Sequence, residues 1–285
     1  MTGRQALPLT RTRKRLARAA SFLREVPALI VSLPFLLIAA FTLIAAFTPT
    51  ADLNRGQLGT LTLENFRLAW QAADFPRLYG NTVLFTFGLL LVQLVTVTTA
   101  GFALAQLKAR GRNGPFYLIL AQLFLPASAL ILPNFILIHK LGLSDTLTAL
   151  ALPYVASATG AFLLRQGFLQ IPRELIEAAQ VDGATSWQIL WRVLLPLVRP
   201  HLAAFSLVSL VYHWNEFLWP LVVIQSPEKR VLSLGFASFA RSAESGMEWG
   251  VIAAGAILVA LPMVLGFLLF QRGFVEAFTR SGLKG

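Results

Sequence analysis

Apolar and polar positions in this chain are sorted into whole segments. Six apolar runs cover residues 27–47, 82–107, 116–138, 147–168, 201–223 and 250–271. The first, Pro27 to Phe47, holds 21 residues, enough as a helix to cross about 30 Å of hydrocarbon. It is longer than the ~7–15-residue apolar core of a cleaved secretion signal, so it reads as an uncleaved span. The pattern predicts an all-α, polytopic membrane protein with six transmembrane helices.

The runs are not uniform. Gln93, Thr96, Thr98 and Thr99 lie inside the second. Uncharged polar groups there hydrogen-bond to neighbouring helices or face a wet path, and packing is the simpler role for each. Pro126 and Pro133 interrupt the third run, and proline in a span frees a carbonyl and kinks the helix. Residues 48–81 form a polar excursion with a short surface helix around Leu63 to Trp70. Ser144, Asp145 or Thr146 is placed to cap the fourth helix.

The longest polar interruption in the second half of the chain is Ile171 to Pro200, IPRELIEAAQVDGATSWQILWRVLLPLVRP. Pro172 suits a first helical position, where its missing N–H has no partner to lose. Glu174 and Glu177 follow, near the positive end of a helix dipole. Leu175, Ile176 and Ala179 make an apolar stripe at helical spacing. Asp182-Gly183 signals a turn. Thr185 and Gln188 fit a capping box, opening a second helix with Trp187, Leu190, Trp191 and Leu194 on one face. Pro196 and Pro200 punctuate the exit. The stretch is helix, glycine turn, helix; by spacing alone a polar loop on the membrane surface fits equally well.

Composition agrees with a membrane protein. The 285 residues are 56% hydrophobic and only 13% charged, against about 25% charged in soluble domains. The net charge of +11 points to lipid headgroups rather than nucleic acid, because the cations flank apolar spans. Residues 1–26 hold seven of these cations against one acid, Glu25, and read as a basic, mobile arm. The arm, the 108–115 and 165–200 loops and the tail carry 17 lysines and arginines, and the opposite loops carry the other 7 of the 24. The positive-inside rule then puts both termini and the Ile171–Pro200 stretch in the cytoplasm.

Catalytic chemistry is missing from the sequence. None of the five lysines sits in a Gly-Lys-Ser/Thr phosphate loop. There is no His-Glu-x-x-His, no Gly-x-Ser-x-Gly and no cysteine, and His139, His201 and His213 are scattered, each more simply structural than a ligand. The expectation is no enzyme, no metal and no cofactor in this chain. The only acid inside an apolar run is Glu216, flanked by Trp214 and Asn215. Such a group avoids lipid. Two readings stay open for it: a solute path, with rings stacking on a sugar and Asn215 and Glu216 taking its hydroxyls, or a structural group that pairs with an arginine or lies among headgroups.

Glu177-Ala178-Ala179, Gly183 after three intervening residues, and Val193-Leu194-Leu195-Pro196 after nine more resemble the EAA loop of ABC-importer permeases, with Val193 in place of Ile. Leu141-Gly142-Leu143, Leu152-Pro153-Tyr154, Leu164-Arg165, Ile171 to Glu174, Trp214 to Phe217 and the tail from Thr279 are similar to the carbohydrate-uptake branch of that family. That branch includes a maltose permease subunit and its glycerol-3-phosphate and oligosaccharide relatives. The resemblance covers residues 27–285 and implies a six-span domain with a coupling loop at 171–200 and a tail at 272–285, leaving 1–26 as a cytoplasmic arm. It implies that Glu177, Ala178, Ala179, Asp182, Gly183 and Pro196 face an ATPase. It further implies a second homologous permease, two ATPase subunits that bind the ATP and Mg, an extracytoplasmic solute-binding protein, and alternating access in the cell membrane. The alternatives are a non-sugar solute (glycerol phosphate, an amino acid, a polyamine) or an ion-coupled secondary transporter, for which the spans offer only Glu216.

Overall fold

A computed structural model describes residues 11–57, 60–106 and 113–282, with side chains for 26–57, 60–106 and 114–268. Every regular element among them is helical. In chain order these are α1 (Arg11–Phe47), α2 (Thr50–Asn54), α3 (Glu64–Ala72), α4 (Phe75–Gln106), α5 (Asn113–Gln122), α6 (Ala127–Lys140), α7 (Leu147–Ala151), α8 (Ala158–Leu169), α9 (Arg173–Val181), α10 (Ser186–Gln188), α11 (Leu195–Leu197), α12 (Arg199–Asn215), α13 (Leu218–Val223), α14 (Leu232–Ser245) and α15 (Trp249–Gly282). Among the described residues three helices, Val26–Phe47, Phe75–Gln106 and Trp249–Leu268, are long and apolar enough to cross a membrane, and the count reaches six when each of three bent pairs is taken as one span.

Several boundaries move from the predicted ones. The backbone is helical from Arg11 and continuous with the first span; residues 1–10 lie outside the described residues. The sixth helix likewise runs on through most of the predicted tail, to Gly282. The second span starts at Phe75, not Thr82, because Asp74 accepts the N–H of Arg77 at 3.3 Å and caps it, while Phe75 is fully buried against Trp70. At about 1.5 Å per residue the 32-residue α4 is roughly 48 Å long. The 107–112 part of the basic loop that follows lies outside the described residues.

The third span is broken by 104° between α5 and α6. Pro126, with ψ 135°, causes the break, whereas Pro133 sits inside α6 without ending it. The fourth bends by 45° between Tyr154 and Ala158, where Ser157 caps α8 by accepting the N–H of Gly160 at 3.1 Å. The predicted fifth span ends early, at Asn215, because Glu216 turns extended. The Glu216 carboxylate then accepts the N–H of Trp219 at 3.3 Å and opens α13.

Packing centres on α4 and α8. Gly101 lets them touch: a Cβ there would stand 2.7 Å from the Leu164 Cβ, the close approach that small residues permit between membrane helices. Three apolar clusters follow. One joins α1, α3, α14 and α15, one lies around Trp219, Leu150 and Phe85, and one joins α4, α8 and α12 to residues 189–198. Asn65 ties the polar excursion to the end of α1, donating to the carbonyls of Ala46 and Thr48 at 3.0 and 2.7 Å.

Thr146, one of three capping candidates, caps α7 by accepting the N–H of Ala149 at 3.1 Å. Asp145 does something else. Held at φ 59°, it accepts the N–H groups of Gln225 and Ser226 at 2.9 and 3.0 Å, the Ser226 hydroxyl, and Lys229 Nζ at 3.1 Å. These bonds, the Ser226 hydroxyl first, hold its carboxyl well below the usual carboxylate range. A depressed folded pKa stabilises above the unfolded value of about 4 and is lost as pH falls through the folded one. Asp145→Asn should therefore lower the melting temperature of the purified protein at pH 7 by about 2–4 °C, the shift that ~1 kcal/mol makes in a chain of this size. The gap should hold down to about pH 4 and close below it; a gap that widens on acidification would refute the clamp.

Candidate functional site

The Ile171–Pro200 stretch folds as two short helices around a closed turn. Pro172 sits at the N-cap of α9, ψ 135°, one position before the predicted one. At the other end Gly183 donates to the Gln180 carbonyl at 3.0 Å and Ala184 to that of Ala179 at 2.9 Å. This pair of bonds is the Schellman closure, which needs a left-handed residue at the first position past the cap. Gly183 supplies it with φ 78°. The predicted capping box is present: the Gln188 N–H donates to Thr185 Oγ1 at 3.3 Å, and the Thr185 N–H donates to Gln188 Oε1 at 2.8 Å. One helix is closed and the next opened within four residues.

The second helix is not the regular one predicted. Residues Ile189–Leu194 widen into a π turn just before Pro196, which has no N–H to return to the Arg192 carbonyl. The extra residue per turn changes the buried face. Ile189, Leu190 and Leu194 are buried, Trp191 is half-buried, and Trp187, expected on the same face, is 61% exposed. Ile176 and Ala179 pack into the same cluster with Phe168 of α8 and Phe205 of α12. The loop is thus seated on the spans by one face. Glu177, Ala178, Asp182, Gly183 and Pro196 are exposed and Ala179 half-buried. A Cβ on Gly183 would meet nothing within 4 Å, so the chain itself leaves the turn open to a partner. The 186–197 segment meets α12 at 78°.

Trp214, Asn215 and Glu216 do not form one site. Trp214 is buried in the cluster with Ala45 and Leu232. Asn215 is exposed and its amide donates back to the Val211 carbonyl at 2.8 Å. Glu216 makes no salt bridge among the described residues, and its backbone carbonyl accepts the Ser233 hydroxyl at 2.6 Å. One to two turns deeper, a cavity of about 400 Å³ opens between α4, the α7–α8 bend and α12. Gln93, Tyr154, Ser209, Tyr212 and His213 line it. The Ser209 hydroxyl donates to Gln93 Oε1 at 2.5 Å, and Gln93 Nε2 donates to the Tyr154 carbonyl at 2.7 Å.

The family signature of the "Binding-protein-dependent transport system inner membrane component" matches residues 6–275. The chain belongs to this family. Its members are membrane components of transport systems rather than enzymes, so the chain is a multi-pass transport permease that works with partner proteins. The permease is 35% identical over 250 residues to the arabinooligosaccharides transport system permease protein AraQ of Halalkalibacterium halodurans, covering 85% of this chain and 89% of that one. It is 34% identical to the lactose transport system permease protein LacG of Rhizobium radiobacter, covering 81% and 85%. It is 32% identical to the sn-glycerol-3-phosphate transport system permease protein UgpE of Escherichia coli, covering 78% and 82%. A bacterial ABC transporter involved in the import of the acidic polysaccharide alginate shares the fold, with TM-score 0.78 at 22% identity over 94% of this chain and 99% of that one.

The permease's central cavity was only half legible in its sequence. Gln93 stood out as polar within a span. Ser209 was passed over and His213 was read as a scattered structural residue, although their i, i+4 spacing puts both on one helix face. Tyr154 and Tyr212 carry no signal of their own without the fold. The turn at Gly183 was read correctly, and it yields a test. A left-handed conformation costs a residue with a Cβ about 1–2 kcal/mol. Gly183→Ala should raise amide exchange at Gly183 and Ala184 in the purified complex by roughly 5–30-fold, and unchanged protection there would refute the closure.

Proposed function

We propose that this permease is one membrane half of a binding-protein-dependent ABC importer in the cytoplasmic membrane and that its solute is a carbohydrate, a mono- or oligosaccharide. In this reading it pairs with a second homologous permease, takes solute from an extracytoplasmic binding protein, and is driven by two ATPase subunits that bind the ATP and Mg. Both termini and the coupling loop face the cytoplasm, and residues 1–26 and 27–285 divide the chain into arm and transmembrane domain. The single observation that carries the reading is the coupling loop. It has an exposed acidic face at Glu177 and Asp182, a closed glycine turn, and an opposite face packed into α4, α8 and α12.

A loop built this way moves as a unit. The Schellman closure and the capping box fix both helices relative to Gly183, and the shared apolar cluster carries displacement to the spans on either side. Glu177, Ala178, Ala179, Asp182, Gly183 and Pro196 are the docking residues, and Trp214, Asn215 and Glu216 border the outer end of the path. The loop supplies no energy; ATPase closure does, by binding one state of the permease better than the other. Relatives named for arabinooligosaccharides and lactose favour the sugar. The relative named for sn-glycerol 3-phosphate favours a phosphorylated polyol as the second reading.

Two measurements test this. Reporter fusions at Gly285 and within residues 108–115 should read cytoplasmic and fusions within 48–81 extracytoplasmic; an outside signal at Gly285 defeats the docking assignment. Glu177→Lys reverses a charge on the exposed face, and Gly183→Val forces a branched side chain into a left-handed turn. Each should cut copurifying ATPase and solute uptake by at least about tenfold, ~1.4 kcal/mol of docking, with normal membrane insertion. Wild-type ATPase stoichiometry and uptake in both variants would refute the coupling role.

A further inference from the structure

The central cavity has a chemistry of its own. At about 400 Å³ it is within the roughly 300–1,000 Å³ of small-molecule sites. No aspartate, glutamate, lysine or arginine is among its described lining residues. The outer pocket of about 470 Å³ is its opposite, with Asp74, Arg77, Glu228, Arg230 and Glu248 around it. A phosphate or a carboxylate would find no counter-charge among the central cavity's lining residues; the nearest acid, Glu216, stands behind Tyr212, whose hydroxyl it engages.

Its polar groups form a connected set with one member unmet. Gln93 is 2% exposed, its carbonyl taken by Ser209 and its amide given to the Tyr154 carbonyl. The same amide nitrogen faces His213 Nε2 at 3.5 Å. The roles across that contact depend on the imidazole tautomer. His213 is 6% exposed, and its Nδ1 has no hydrogen-bond partner. A buried polar atom left unmet is costly, so one that persists in a native fold calls for an explanation. The rings of Tyr154 and Tyr212 flank this imidazole at 4.7 and 5.0 Å. Tyr212 is 46% exposed.

We propose that this cavity is a solute subsite in this subunit, taking a neutral polyhydroxylated ring. Tyr212 and Tyr154 offer aromatic faces to the C–H surface of the ring. Gln93, Ser209 and His213 form the polar edge that meets its hydroxyls, which both donate and accept. The inference rests on the carbohydrate reading and adds the place where this chain touches the solute, deeper than Trp214 to Glu216.

The test uses the assembled importer in proteoliposomes with its binding protein. Radiolabelled neutral pentoses, hexoses, di- and trisaccharides are offered beside glycerol 3-phosphate, glutamine and spermidine. Uptake of no sugar by the wild type overturns the carbohydrate reading, and the subsite with it. With a transported sugar in hand, Tyr212→Leu and His213→Phe are compared for uptake and for ATPase stimulation by the loaded binding protein. The subsite predicts uptake reduced about tenfold, the factor of one lost hydrogen bond or ring contact, with stimulation unchanged and so fewer sugars moved per ATP. Should His213→Phe fail to assemble, the half-exposed Tyr212 decides alone. Unchanged sugar uptake per ATP in Tyr212→Leu, or loss of its assembly, overturns the subsite and leaves the carbohydrate reading standing.

Discussion

In hydrocarbon every backbone N–H and C=O has to find its partner inside the protein. A straight helix meets that condition by itself. This chain breaks its helices repeatedly, and each break exposes groups that no water will satisfy. The repair comes largely from one element, the unbroken α4. Thr96 and Gln93 donate to the Val155 and Tyr154 carbonyls at the α7–α8 bend, at 2.6 and 2.7 Å. Thr82 accepts the N–H of Leu232 at the start of α14, at 2.7 Å. Asn81 donates to the carbonyls of Glu228 and Arg230, and Gln106 to that of Phe168 at the end of α8. The helix that is regular carries the polar side chains that let its neighbours be irregular.

The same condition separates what was legible in the sequence from what was not. Span number and helical class follow from apolar run length, which is local. The turn at Gly183 and the capping box at Thr185 are local too, because the residues that satisfy them lie within about five positions. The breaks were harder. Pro126 and Pro133 look alike in sequence, yet Pro126 stands at the break as the N-cap of α6 and Pro133 lies within that helix. The break at Glu216 lies four residues before Pro220, which has no N–H to return to the Glu216 carbonyl; the Ser233 hydroxyl takes that carbonyl and the Glu216 carboxylate caps the next turn. Gln93 and Thr96 looked like packing groups, and their partners lie about 60 residues away in the chain. No local pattern names such partners.

The π turn at Ile189–Leu194 belongs to the same class of surprise. Regular helical spacing put Trp187 with Leu190 and Leu194, but the widened turn gives Ile189 that place and leaves Trp187 outside. Here the core decided the register. Ile189 fills the cluster shared with Phe168 and Phe205. Pro196 tolerates the widening because it could not have returned a regular helical bond in any case.

One helix spans the regions that matter for transport. In its second turn α12 carries Phe205, which packs with the Ile171–Pro200 loop and also lines the central cavity. One and two turns further out come Ser209 and His213, on the cavity wall. Beyond them α12 ends at the extended Glu216, whose carbonyl is fastened to Ser233 of the outer helix α14. A tilt of α12 about that outer fastening shifts Phe205 farthest and the outer end least. The loop packs on α4 and α8 as well, and α12 is where one side chain meets both the loop and the cavity. The cavity wall has to change whenever the loop moves, because Phe205 belongs to both.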